Sequence, residues 1–148
     1  GNKGFIGRNT EWSVMFIPVH YVGVPVGMAV VDEALGGLSI QLVWRLEVPR
    51  TIRRFAGGRQ DVLVATLRDD ATKLQRCHPY CWITGNIPLR LSRLALRPNL
   101  VDTVNRLAVE PIDMDLDLLR DTIKSIRRVV YIDSNRLNCT TENLREVQ

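Results

Sequence analysis

The sequence predicts an α+β fold: a mainly antiparallel sheet, one packed helix and a ββα unit that closes the chain. Three stretches carry this reading. Residues 38–48 alternate, with Ile40, Leu42, Trp44 and Leu46 on one face and Gln41, Val43, Arg45 and Glu47 on the other, the period of a half-buried strand. Residues 112–128 set Leu116, Leu119, Ile123 and Ile126 on one apolar stripe. Asp113 stands at the cap, Asp115 and Asp117 in the first turns, and Lys124, Arg127 and Arg128 in the last, as a helix dipole favours. Residues 129–148 read as a short strand (129–132), a polar turn (133–135) and a second short element at Arg136 and Leu137. A helix then opens at Glu142 behind Thr140 or Thr141 as N-cap.

The remaining elements follow in chain order. Residues 12–17, 20–26 and 28–31 read as three short strands punctuated by Pro18, Gly23, Pro25 and Gly27. His20, between Val19 and Tyr21, is expected to be a strand or core histidine and not a ligand. Gly36-Gly37 is a turn. Residues 49–60 form a basic, glycine-containing hairpin loop and 61–67 the returning strand. Residues 71–76 make about one helical turn, and 80–84 another strand ended by Gly85-Asn86. The leucines at 89, 91, 94 and 96 fit neither period cleanly; Pro88 suits the first position of a helix. Residues 101–109 are a short helix or strand. The whole forms one domain, 1–148, with a β-rich part (1–111) followed by the helix and the ββα unit (112–148).

A chain of 148 residues, 45% apolar and 24% charged, is long enough for a true core and ordinary in composition for a folded protein. The nearest approach to a membrane span, residues 14–31, is broken by Pro18, His20, Pro25 and glycines. The first residues do not read as a leader, and a cytoplasmic protein with no membrane association is expected. Net charge is only +4, but 17 of the 20 cationic residues are arginine. Arginine's planar fork suits bidentate contacts to phosphate or guanine; a GC-rich coding sequence explains the bias equally well.

Cys77, His78 and Cys81 invite a zinc reading, but a second ligand pair at fixed spacing is missing. Cys77 and Cys81 are therefore weak metal candidates, and free thiols are the default. His78 adjoins Cys77, but neighbours in an extended segment point apart, which argues against a working dyad. Arg50, Arg53, Arg54 and Arg59 surround Phe55 on the loop at 49–60. They form a candidate nucleic-acid contact whose bland alternative is a solvated loop tip.

At 129–145, Val129, Val130, Tyr131, Ile132, Asp133, Ser134, Leu137, Asn138, Cys139, Asn143, Leu144 and Arg145 fall in the register of the HNH (ββα-metal) motif. The form they resemble is that of phage homing endonucleases. A second echo, Met28 to Glu33 followed by Leu35, Leu38 and the segment Leu42 to Leu46, is similar to the region preceding the HNH core in those proteins. The resemblance covers about a third of the chain. It implies a nuclease scaffold whose chemistry has been lost: Tyr131 stands where the family has its general-base histidine, and Val130 where it often has a metal ligand. Of the catalytic set Asn143 remains, with Asp133 and Asn143 the weak candidates for a metal.

Three functions follow from this reading. One is a non-catalytic nucleic-acid-binding protein of phage type that contacts DNA through Arg50, Arg53, Arg54, Arg59, Arg136 and Arg145. Another is a phage-encoded inhibitor that binds a host protein. The third is a residual HNH endonuclease using Mg²⁺ or a similar ion near Tyr131 and Asp133; outside that third reading no cofactor is expected.

Overall fold

A computed structural model describes residues 6–8 and 13–148. After β1 (Ile6–Arg8), the sheet is built around a long hairpin, β2 (Ser13–Tyr21) and β3 (Val24–Asp32). Its two-residue turn, Val22-Gly23, has positive φ at both positions, 45° and 78°, the I′ geometry that matches strand twist. The three strands expected between 12 and 31 are thus two; Trp12 lies outside the described residues.

Pro18 and Pro25 sit inside these strands without breaking them. The His20 amide donates to the Trp44 carbonyl at 2.9 Å, so Pro18, two residues earlier, would present its missing N–H along the same edge. That stretch of edge lies between the reach of β1, opposite residues 13–15, and of β4 (Arg45–Glu47), opposite His20, where no strand among the described residues needs a donor. Pro25 falls at the register shift between Val19 and His20.

Val22 is β-branched and left-handed, a costly combination. Val22→Asn should therefore raise stability by about 1 kcal/mol, read as a higher urea midpoint with an unchanged m-value.

The sheet runs β6-β5-β4-β2-β3-β8, with β1 beside β2. Its further members are β4 (Arg45–Glu47), β5 (His78–Ile83), β6 (Ile87–Arg90) and β8 (Asn138–Cys139). β4 joins β2 and β8 joins β3 in parallel; the other pairings are antiparallel. Met15, Ile17, Val19, Ala29, Val31, Leu46, Cys81 and Leu89 are buried.

The strand expected over 38–48 shrinks to β4. Ser39 donates its amide to the Asn105 side chain (2.8 Å), which donates in turn to the Gly37 carbonyl (2.8 Å). The Gln41 amide turns back on the Ser39 hydroxyl. These bonds take the backbone out of the ladder and leave Ile40 67% exposed.

The expected hairpin at 49–67 is helical instead: α1 (Arg50–Phe55), α2 (Gln60–Asp69) and then α3 (Ala71–Leu74). A short apolar run such as Val62-Leu63-Val64 reads alike at both periods. What decides is that Leu63 and Leu67, four apart, are both buried. The turn expected at 71–76 corresponds to α3. Leu74 covers the sheet at Gly27, where an added Cβ would lie 2.7 Å from Leu74 Cδ2.

The ambiguous stretches resolve as the end of β6, α4 (Leu91–Leu96) and α5 (Val101–Leu107). Pro88 lies in β6 and does not open a helix. α6 (Asp113–Ser125) forms around buried Leu119 but ends earlier than expected: Ile126 is its C-cap, and Arg127 and Arg128 lie beyond it, with Arg128 opening the next strand. Its N-cap is Ile112, without a side-chain bond, and not Asp113. Asp115 is buried, taking two bonds of 3.0 Å from Arg106 on α5.

β7 (Arg128–Tyr131) pairs antiparallel with β9 (Leu144–Val147) as a separate ribbon. The helix expected from Glu142 is therefore a strand. β9 supplies the backbone partners of β7, and Glu146 is clamped by Arg97 through bonds of 2.7 and 2.9 Å. The architecture is α+β, with a mostly antiparallel sheet and helices against it. No helix among the described residues is long and apolar enough to cross a membrane.

Candidate anion-binding site

Side chains alternate along strands. With Leu46, Cys81 and Leu89 buried, Glu47, His78, Tyr80 and Arg90 occupy the opposite face of β4, β5 and β6. Strand register sets Glu47 across from His78 and Tyr80 across from Arg90. Pro49 ends the strand segment and α1 begins at once, carrying Arg50 and Arg53 three residues apart on one helical face.

Arg136 arrives from the loop between β7 and β8. Its amide donates to the Gln75 carbonyl (2.9 Å) and its Nη1 to the Arg76 carbonyl (2.7 Å). Arg76 reaches the Thr51 hydroxyl at 3.1 Å, tying this junction to α1. These segments together line a cavity of about 500 Å³ containing Arg50, Arg53, Arg90 and Arg136 beside Tyr80 and His78.

Charge in this cavity is one-sided. Arg90 pairs with Glu47 at 2.9 Å. Among the described residues, Arg50, Arg53 and Arg136 are in no ion pair. His78 adds no charge at pH 7: burial first, then the guanidiniums of Arg90 and Arg136, push its pKa down to about 4, against the pull of Glu47. Behind it the Tyr131 hydroxyl approaches His78 Nδ1 at 3.5 Å, with ring centroids 5.9 Å apart. Burial raises the Tyr131 phenol above its ordinary value, so it stays protonated and is a poor base.

The other motif residues gather elsewhere. Asn143 is buried, and its side chain is fully used. Oδ1 accepts from the Asp133 amide (2.9 Å), and Nδ2 donates to Asp133 Oδ1 (2.8 Å) and to the Asn138 carbonyl (2.9 Å). The Asp133 carboxylate accepts further from the Asn135 amide (2.8 Å) and Asn138 Nδ2 (3.0 Å). Those bonds, chiefly from Asn138, Asn135 and Asn143, hold its pKa below the usual value despite partial burial.

Asp133 and Asn143 thus meet, but they bind one another and close a loop, while Tyr131 faces His78. Val130 and Tyr131 supply neither a carboxylate nor an imidazole, and the Asp133 oxygens are occupied by N–H donors, so these residues do not fit a divalent cation. Cys77 and Cys81 are buried, their thiols pushed up to about 12 by burial. They belong to no grouping of three metal-binding side chains among the described residues.

Of the six arginines singled out in the sequence, Arg50, Arg53 and Arg136 come together at the cavity. Arg54, Arg59 and Arg145 do not line it; Arg59 is paired with Asp61 in solvent at 2.9 Å, and Arg145 lies exposed on β9 opposite Val130. Sequence reasoning passed over Arg90, Glu47, Tyr80 and the environment of His78. The alternation at His78, Tyr80 and Trp82 against Cys77, Cys81 and Ile83 carried a signal for that face. No known protein family, curated protein or solved structure matches this chain.

Proposed function

We propose that this chain is a non-catalytic nucleic-acid-binding protein, built on an HNH homing-endonuclease-like scaffold of phage type that has lost its chemistry. The supporting observation is the convergence of Arg50, Arg53 and Arg136, from stretches more than 80 residues apart, on one cavity with Arg90. Uncompensated guanidiniums bind phosphate oxygens bidentately and give salt-dependent affinity with little sequence readout. The loss of catalysis rests on Val130 and Tyr131 at the ligand and base positions and on the occupied Asp133 carboxylate.

A gel-shift titration over salt tests this reading. The protein should bind duplexes of unrelated sequence with similar affinity. Arg50→Ala with Arg53→Ala should weaken all of them by about tenfold and flatten the log–log salt slope by roughly one to two. The pair Arg54→Ala and Arg59→Ala, off the cavity, should do less. Equal losses from both pairs would reject the cavity as the contact surface.

A second reading, a regulator that docks on a host protein, is favoured by a different surface. Val43 and Trp82 share a shallow cavity of about 310 Å³, and Ile40, Val43 and Trp82 are exposed. Absence of any DNA or RNA shift at low salt would move the conclusion to that reading.

A further inference from the structure

Beyond the single charges along a duplex backbone, the basic cavity has the volume and charge for a smaller and more highly charged group. Its volume, about 500 Å³, falls within the range of about 300–1,000 Å³ typical of small-ligand sites. Its charge exceeds what one internal phosphate needs. Arg90 is already matched by Glu47, which leaves Arg50, Arg53 and Arg136 uncompensated among the described residues. An internal diester brings one negative charge, whereas a phosphate monoester brings about 1.5 to 2 at pH 7.

Part of the wall is also held in place before anything binds. Arg136 is anchored on the Arg76 carbonyl and Arg90 on Glu47. Pre-set donors lose less freedom on binding a rigid tetrahedral anion. Tyr21 and Tyr80 line the same cavity, and aromatic rings beside a cationic wall provide stacking surfaces for a base.

We infer that this cavity receives a terminal nucleotide, its phosphate monoester held by Arg50, Arg53 and Arg136 and its base against Tyr80. The protein would then recognise phosphorylated strand ends in preference to continuous backbone. This inference rests on the nucleic-acid reading above and specifies what that site takes. The same monoester chemistry exists on a free nucleoside monophosphate, so the two sources need separate arms in the test.

The experiment is fluorescence anisotropy with the full chain and one short single-stranded oligonucleotide, labelled internally, carrying a 5′-phosphate, a 3′-phosphate or hydroxyls at both ends. One phosphorylated form should bind about tenfold tighter than the hydroxyl form, as expected for one extra doubly charged group with charge-assisted bonds. That preference should vanish in Arg50→Ala/Arg53→Ala and persist in Arg120→Ala, a solvent-facing arginine on α6. Circular dichroism confirms that each variant is folded.

Equal binding of all three oligonucleotides overturns the strand-end inference and leaves the nucleic-acid reading standing. Binding of none of them at low salt overturns the strand-end inference, and it overturns the nucleic-acid reading as well if the duplexes of the gel-shift titration also fail to bind. If a nucleoside monophosphate competes as well per phosphate as the phosphorylated oligonucleotide, the ligand is the free nucleotide and the strand-end assignment is overturned. If it competes at least tenfold more weakly, the assignment stands.

Discussion

Asn143→Ala is expected to destabilise the protein by about 2–4 kcal/mol. The side chain is buried and makes three hydrogen bonds, to the Asp133 amide, the Asp133 carboxylate and the Asn138 carbonyl. Truncation removes all three and leaves the Asp133 amide and the Asn138 carbonyl without that partner, each costing about 1–3 kcal/mol where water cannot replace it. The loop from β7 to β9 should loosen with it. Asn143→Asp keeps the acceptor but sets a second carboxylate against Asp133, so at pH 7 it should be no better than the alanine variant. Urea denaturation at constant m-value measures both. DNA binding by Asn143→Ala below its melting temperature should stay close to wild type. Metal-dependent nicking of plasmid by the wild type that disappears in a stably folded Asn143→Ala would overturn this structural role and restore the nuclease reading.

Acid should destabilise the fold in a window set by His78. Its folded pKa is about 4, below the ordinary value of 6.5, chiefly because of burial. Between those two values the unfolded chain binds a proton that the folded chain does not, so stability falls as pH drops from about 6.5 to about 4. The full linkage would be about 3 kcal/mol. His78 is only half-buried, and solvent screening reduces the expected loss to about 1.5–2 kcal/mol. His78→Gln should flatten the profile in this window. The bonded carboxylates of Asp115, Asp133 and Glu146 have lowered pKa values, and their contribution is lost only at lower pH. Urea midpoints that fall equally in wild type and His78→Gln between pH 6.5 and 4 would assign the acid sensitivity to other groups.

Local pattern identified those elements whose period and burial agree. α6 follows from its apolar stripe, β5 from a strand run closed by Gly85-Asn86, and the turn at Gly36-Gly37 from its composition. The α+β class was legible for the same reason. The stretch at 61–67 was not, because a run of apolar residues fits a strand and a helix equally, and packing of Leu63 and Leu67 makes the choice. Glu142 to Glu146 carries helix-start signals, yet pairing of β9 with β7 and the Arg97–Glu146 clamp outweigh such weak local preferences.

For the site, sequence alone determined which side chains are available: an arginine-rich, lysine-poor complement, with valine and tyrosine at positions 130 and 131. Only the tertiary structure decided which of them meet. Arg50 and Arg53 stand together because α1 is a helix, Arg90 joins them through strand register, and Arg136 through backbone bonds to Gln75 and Arg76. Such long-range convergence has no local signature, since hydrogen bonds between segments 60 residues apart leave no mark on the periodicity of either.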